Sequence, residues 1–217
     1  EIIFGVPGDG DDIGRCMVAD VDPETPGCEV WASGTTLDGK LYSCRGELLS
    51  KKAPVYKFAG SWTFNMGIWW NGTLNRQMLD RGYVTEYIAD NGGSGNRIFL
   101  KEDYGVTTGQ GTKNNPVFYG DFWGDWREEM IYVTPDYTEL RIFTTNIETK
   151  YRFRPLMYDH VYRLSATHEN VGYNQPTHPG FYIGSDLLKD ENMEIGPGGI
   201  GDWKPEEGEH NGSAYED

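Results

Sequence analysis

Three stretches of this chain share one pattern, and a chain assembled from copies of a unit has few ways to fold. Residues 18 to 43 read VADVDPETPGCEVWASGTTLDGKLYS, and residues 119 to 144 read YGDFWGDWREEMIYVTPDYTELRIFT. Each opens on an acidic turn, places an acid (Glu29, Glu129) just before a short apolar strand, crosses a polar connection and ends in a second strand carrying Leu-x-hydrophobic. Residues 68 to 82, IWWNGTLNRQMLDRG, read as a degenerate middle copy, with Asn71 where the others place Asp20 and Asp121. Strand pairs with loops are what β-propeller blades contribute. At roughly 40 to 50 residues per four-stranded blade, the chain supplies about four or five blades, fewer than many complete rings.

Composition agrees with an all-β fold. Twenty-nine glycines, eleven prolines and 14% aromatic residues describe short strands joined by tight turns. Glu139 to Thr145 (ELRIFTT) alternates apolar and polar residues as a half-buried strand does. The one helical candidate, Leu74 to Leu79, is too short to stand alone. A Gly-rich stretch, Asp90 to Thr112, reads as a long loop between the second and third copies. Residues 1–190 are assigned to blades and 191–217 to an acidic, glycine-rich tail or linker. A chain opening on Glu1 is expected to be a processed protein or a fragment.

The charge balance narrows the partners. With 34 acidic against 19 basic residues and a net charge of −15, the chain is poorly suited to nucleic acid, whose binding rests on neutralising phosphates. No run of about 18 apolar residues is present, so no membrane-spanning helix is expected. Neither a nucleic acid nor a membrane is an expected partner, and the protein is expected to be a monomer. Cys16, Cys28 and Cys44 are odd in number, so at least one thiol stays unpaired within the chain.

The placement of the acids suggests a role for them. Asp9, Asp11 and Asp12 in GDGDDIGR, Asp20 and Asp22 in ADVD, and Asp121, Asp125, Glu128 and Glu129 in GDFWGDWREE supply carboxylates at short spacing in Gly-containing turns. Ca²⁺ takes six to eight such oxygens in flexible geometry, although none of these stretches has the EF-hand spacing. The competing use is turn capping, in which an aspartate accepts from backbone amides. Among Trp62, Trp69, Trp70, Trp123 and Trp126, most are expected in the core rather than on a sugar. His160, His168 and His178 lack metal-ligand spacing, and no nucleophile–base pair of a serine or zinc hydrolase is present.

Longer strings carry a family resemblance. FNMGIWW (64 to 70), GTK (111 to 113), GDWREE (124 to 129), ELRIFTT (139 to 145), LMYDHVYRL (156 to 164) and NVGYNQPTH (170 to 178), with the earlier GDDIGR…ADVDPETPGCEVWAS (10 to 33), resemble the C-terminal half of the rhamnogalacturonan lyases of polysaccharide lyase family 11. The resemblance implies a secreted, calcium-binding, eight-bladed β-propeller, of which this chain holds the C-terminal blades as an incomplete ring. It further implies cleavage of the rhamnose–galacturonate bond of rhamnogalacturonan I by β-elimination. On the matching positions, Lys113, Tyr173 and Arg15 correspond to catalytic residues, and Gln110, Gly111, Thr112 and Asn174 to substrate contacts. Two positions depart from the family pattern: Gln110 replaces an asparagine, and Thr177 the second proline of a Pro-Pro-His turn. With the N-terminal blades absent, the chain alone is expected to be inactive.

Two other functions compete. A noncatalytic calcium-binding propeller that holds pectin or mediates adhesion has no need of both Gly-Thr-Lys and Tyr-Asn-Gln-Pro. A glycoside hydrolase requires a carboxylate pair acting without calcium.

Overall fold

The computed structural model describes residues 2–5, 16–32, 40–49, 64–89, 96–109, 114–169, 171 and 176–187. Among the described residues, eleven strands form three antiparallel sheets, each a meander in chain order. The first holds β1 (Met17–Ala19), β2 (Glu29–Trp31), β3 (Leu41–Ser43) and β4 (Leu48–Leu49). The second holds β5 (Met66–Ile68), β6 (Gln77–Asp80), β7 (Tyr83–Thr85) and β8 (Arg97–Leu100). The third holds β9 (Phe118–Gly120), β10 (Glu129–Val133) and β11 (Leu140–Phe143), and a short helix, α1 (His160–His168), follows. All three sheets are open among the described residues, so the fold is all-β with one helix of note.

Burial explains why the middle sheet carries apolar side chains on both faces. Successive side chains of a strand point to opposite faces, and β6 feeds both: Met78 joins Met17, Trp31, Leu41 and Phe64 between the first two sheets, while Leu79 joins Ile68, Phe99, Tyr119 and Met130 between the second and third. A third core, built on Trp69, Trp126, Leu156, Tyr162 and Ala166, seats α1. Trp69, Trp70 and Trp126 are therefore core residues, as expected, whereas Trp123 is 59% exposed; Trp62 lies outside the described residues.

The hairpin between β6 and β7 shows local chemistry fixing register. Asp80 pairs with Tyr83, leaving Arg81 and Gly82 as a two-residue loop with φ of 49° and 82°. Both positive values match the tight hairpin turn whose twist suits the flanking strands. The Lys101 side chain lies so close over Gly82 that any Cβ there would collide with it.

Three elements differ from expectation. The stretch Asp90 to Thr112 is not all loop: β8 and a 3-10 turn, Lys101–Tyr104, occupy its middle. The strand predicted over Glu139 to Thr145 forms as β11, but most of it is exposed, because it is the outer strand of its sheet. Helix α1 had no counterpart in the sequence reading; Asp159 caps it, accepting from the N–H groups of Val161 and Tyr162.

Candidate functional site

The acidic turns are one structure built three times. In the first, Glu29 Oε2 accepts from the N–H groups of Val21 and Asp22 at 2.9 and 3.1 Å. In the second, Gln77 Oε1 accepts from Trp70 and Asn71 at 2.7 and 2.9 Å. In the third, Glu129 Oε2 accepts from Phe122 and Trp123, both at 3.1 Å. Each turn contains a glycine in the left-handed region, Gly27, Gly72 and Gly124, with φ of 83°, 80° and 83°. The strand registers Ala19–Glu29, Ile68–Gln77 and Gly120–Glu129 align the copies. Asn71 thus matches Asp22, and the place of Asp20 and Asp121 is taken by Trp69. The sequence pattern sets Asn71 at the turn position of Asp20 and Asp121, whereas strand register and backbone bonds align it with Asp22.

A second repeated bond joins one sheet to the next. Arg76 N–H donates to Asp20 O at 2.7 Å, and Glu128 N–H donates to Trp69 O at 3.0 Å. Arg76 and Glu128 each stand just before the second strand of their sheet, so equivalent positions carry opposite charges and meet as a buried ion pair at 3.2 Å. Glu128 is fully enclosed: Oε1 accepts from the hydroxyls of Tyr162 (2.7 Å) and Thr177 (2.6 Å), and Oε2 from Trp69 N–H (2.9 Å). The Arg76 guanidinium lies 4.2 Å from the Trp69 ring and also donates to Thr177 O.

This junction receives the chain on either side of Tyr173. Glu169 accepts from Tyr119 N–H at 3.0 Å, and Thr177 N–H donates to the Tyr119 hydroxyl at 2.9 Å, so one residue of β9 is held from both flanks. The proline that Thr177 replaces has neither an N–H nor a hydroxyl. On either side of Lys113 in the chain, the Thr108 hydroxyl lies 3.4 Å from Asn114 Oδ1. Next to Asn114, the carboxamide of Asn115 is buried, and neither of its atoms has a hydrogen-bond partner among the described residues. Lys113, Tyr173, Arg15, Gln110, Gly111, Thr112, Asn174, Asp9, Asp11 and Asp12 themselves lie outside the described residues.

The structure places the six remaining acidic candidates in two separate turns, and protein donors reach all six, Glu128 through the contacts given above. Asp20 accepts from Asn75 and Tyr182 side chains and from Ser185 N–H. Asp22 accepts from Glu24 N–H and the Thr25 hydroxyl. Asp121 accepts from Gly124 and Leu156 N–H, Asp125 pairs with Arg127, and Glu129 Oε1 accepts from Thr144. Among the described residues, no group of three or more His, Cys, Asp and Glu side chains is arranged to hold a metal ion. Burial raises Asp20 and Asp121 to about 6, Glu129 to about 7 and Glu29 to about 8. It also raises Glu169 to about 9, and it lowers His178 to about 4. All three cysteines are free, and burial pushes the Cys28 thiol up to about 12.

Known proteins resemble the chain over most of its length. A family model described as rhamnogalacturonan lyase family 11, C-terminal domain, matches residues 1–193. Rhamnogalacturonan endolyase YesW of Bacillus subtilis (strain 168) is 40% identical over 189 residues, which are 87% of this chain and 28% of that protein. Rhamnogalacturonan exolyase YesX of the same organism is 38% identical over 201 residues, covering 87% of this chain and 31% of its own length. The crystal structure of YesW superposes with a TM-score of 0.73 over 85% of this chain and 29% of that one. The rhamnogalacturonan lyase PL11 of Bacillus licheniformis does so with a TM-score of 0.71 at 40% identity, covering 85% of this chain and 29% of its own. The chain spans less than a third of the length of the curated relatives it matches.

Proposed function

The chain belongs to rhamnogalacturonan lyase family 11, as its C-terminal domain, and from that premise we propose that it is part of an enzyme that cleaves rhamnogalacturonan I by β-elimination. The observation that carries this reading is the 40% identity to an endolyase over 87% of the chain. Activity is assigned to the intact protein, a secreted monomer in this reading, with residues 1–190 alone inactive and 191–217 a tail. A propeller is the architecture we propose for that protein. Its support is the meander topology and the paired bonds Arg76 to Asp20 and Glu128 to Trp69, which repeat one sheet-to-sheet step.

β-Elimination removes the proton next to the uronate carboxylate and expels the sugar oxygen on the neighbouring carbon. Charge develops on the carboxylate, where a cation or strong donor stabilises it. Lys113 and Arg15 are proposed to neutralise that carboxylate or, where desolvation deprotonates one of them, to take the proton as base, and Tyr173 to donate to the leaving oxygen or contact a subsite, with Gln110, Gly111, Thr112 and Asn174 contacting the sugars. Support for bringing Lys113 and Tyr173 to one place is that the residues flanking Tyr173 both bind Tyr119, in the strand that follows Lys113. Calcium, when bound, would supply further positive charge. The six described acidic candidates already accept from protein donors and, among the described residues, do not form a set that fits the ion, so calcium is proposed for the Asp9, Asp11 and Asp12 turn.

The test is ultraviolet absorbance of the unsaturated uronate formed on rhamnogalacturonan I by the intact protein. Reducing ends released without that absorbance would mean hydrolysis and would end the lyase reading. Direct titration with Ca²⁺, with and without Asp11→Asn, tests the ion separately.

A further inference from the structure

Beside the third acidic turn lies an open cavity of about 400 Å³, walled by Phe122, Trp123 and Gly124 on one side and by Pro155, Met157 and Tyr158 on the other, with Arg163 of α1 at its rim. The walls approach closely at Gly124, where an added Cβ would stand 3.3 Å from Pro155 Cγ. Trp123 and Tyr158 are 59% and 74% exposed, in a protein whose Trp69, Trp70 and Trp126 are all buried. The turn fixes Trp123, whose N–H is held by Glu129 and whose ring stands edge-on to Phe122 at 6.1 Å. Exposed aromatic faces beside a concave surface match the apolar faces of pyranose rings.

Arg163 supplies the charge. Its Nη1 donates to Met157 O at 2.9 Å, which orients the guanidinium. Its remaining nitrogens have no partner among the described residues, so the Nε–Nη2 edge is open. That edge fits a carboxylate with two parallel bonds. The one acid lining the cavity, Asp121, is buried, with its two oxygens taken by the N–H groups of Gly124 and Leu156. The exposed Asp125 nearby is paired with Arg127. A cationic edge and two ring faces in a chain of net charge −15 favour an anionic sugar over an anionic protein surface.

The geometry points to this groove as a binding site for a uronate-containing saccharide, with Trp123 and Tyr158 against the rings and Arg163 on the carboxylate. The assignment rests on the rhamnogalacturonan reading for the choice of sugar. Its test is affinity of the intact protein for a disaccharide of galacturonate linked to rhamnose, which lacks the rhamnose-to-galacturonate bond a lyase cuts, and for its carboxyl-reduced counterpart. The native protein prefers the acidic disaccharide, and Arg163→Gln removes that preference. Trp123→Ala weakens both by about tenfold, as loss of an aromatic contact does, and Trp123→Phe restores binding. Native-like affinity for the acidic disaccharide in either Arg163→Gln or Trp123→Ala overturns the assignment. Formation of unsaturated uronate from rhamnogalacturonan I is followed with the same preparations; its absence overturns the lyase reading, while the binding series still decides the groove.

Discussion

Arg76 and Glu128 meet at 3.2 Å with only 3% and 0% of their side chains exposed, one from the second acidic turn and the other from the third. A buried pair of this kind gains little over a well-packed apolar pair, yet breaking it leaves a charge with no compensation. Arg76→Ala is therefore expected to destabilise the protein by about 3–5 kcal/mol, and Arg76→Ala with Glu128→Gln to cost less than the sum of the single changes. Denaturant unfolding of the four species measures the coupling; strict additivity would show that the pair does not act as a unit.

Thr177 gives the same carboxylate a hydroxyl and gives Tyr119 an N–H. Thr177→Val keeps the shape and the N–H and removes the hydroxyl, at an expected cost of about 1–3 kcal/mol. Thr177→Pro removes both donors and is expected to cost more. If the two variants unfold at the same denaturant concentration, the bond to Tyr119 contributes nothing.

Glu169 is raised by burial to about 9 from an ordinary value of 4.5. Its contribution to stability is fully present below the unfolded value and is lost as pH rises through the folded one, because only the native state then holds the proton. Thermal unfolding is expected to move to lower temperature between pH 6 and pH 9, and Glu169→Gln, which copies the neutral acid, is expected to flatten that slope. An unchanged slope in Glu169→Gln would assign the pH dependence to other groups.

Gly82 is the second left-handed residue of a two-residue hairpin and is overlaid by Lys101. Gly82→Ala is expected to lower stability by about 1 kcal/mol from the backbone alone and further by displacing Lys101. Comparison with Gly82→Ala in a Lys101→Ala background separates the two effects.

In the intact protein, Lys113→Ala is expected to abolish formation of unsaturated uronate while leaving thermal unfolding unchanged. Retained turnover would remove Lys113 from the mechanism.

The repeat, the strand-rich fold and the burial of Trp69, Trp70 and Trp126 were all readable, because alternation and turn residues are local signals. The alignment of the middle copy was not. Polar turn residues set Asn71 against Asp20 in the sequence, whereas the shared feature is an oxygen accepting from two consecutive amides, which Gln77 provides as well as Glu29 does. Strand β8 was hidden in a glycine-rich stretch by its brevity, and α1 by the poor helical propensity of His, Val, Tyr and Thr. Arg76 was not legible as a site residue, and Glu128 read as one of the acids suited to calcium rather than as its partner, because their partnership is tertiary. Their equivalent positions in two copies, with opposite charges, were the available signal.

That Gln77 closes the second turn as Glu29 and Glu129 close the first and third makes the protein its own control experiment. An amide performs the structural task without the burial penalty that raises the two acids to about 8 and 7. Folding alone would be served by glutamine at all three places, so Glu29→Gln and Glu129→Gln separate what these turns need in order to form from whatever they do with a negative charge.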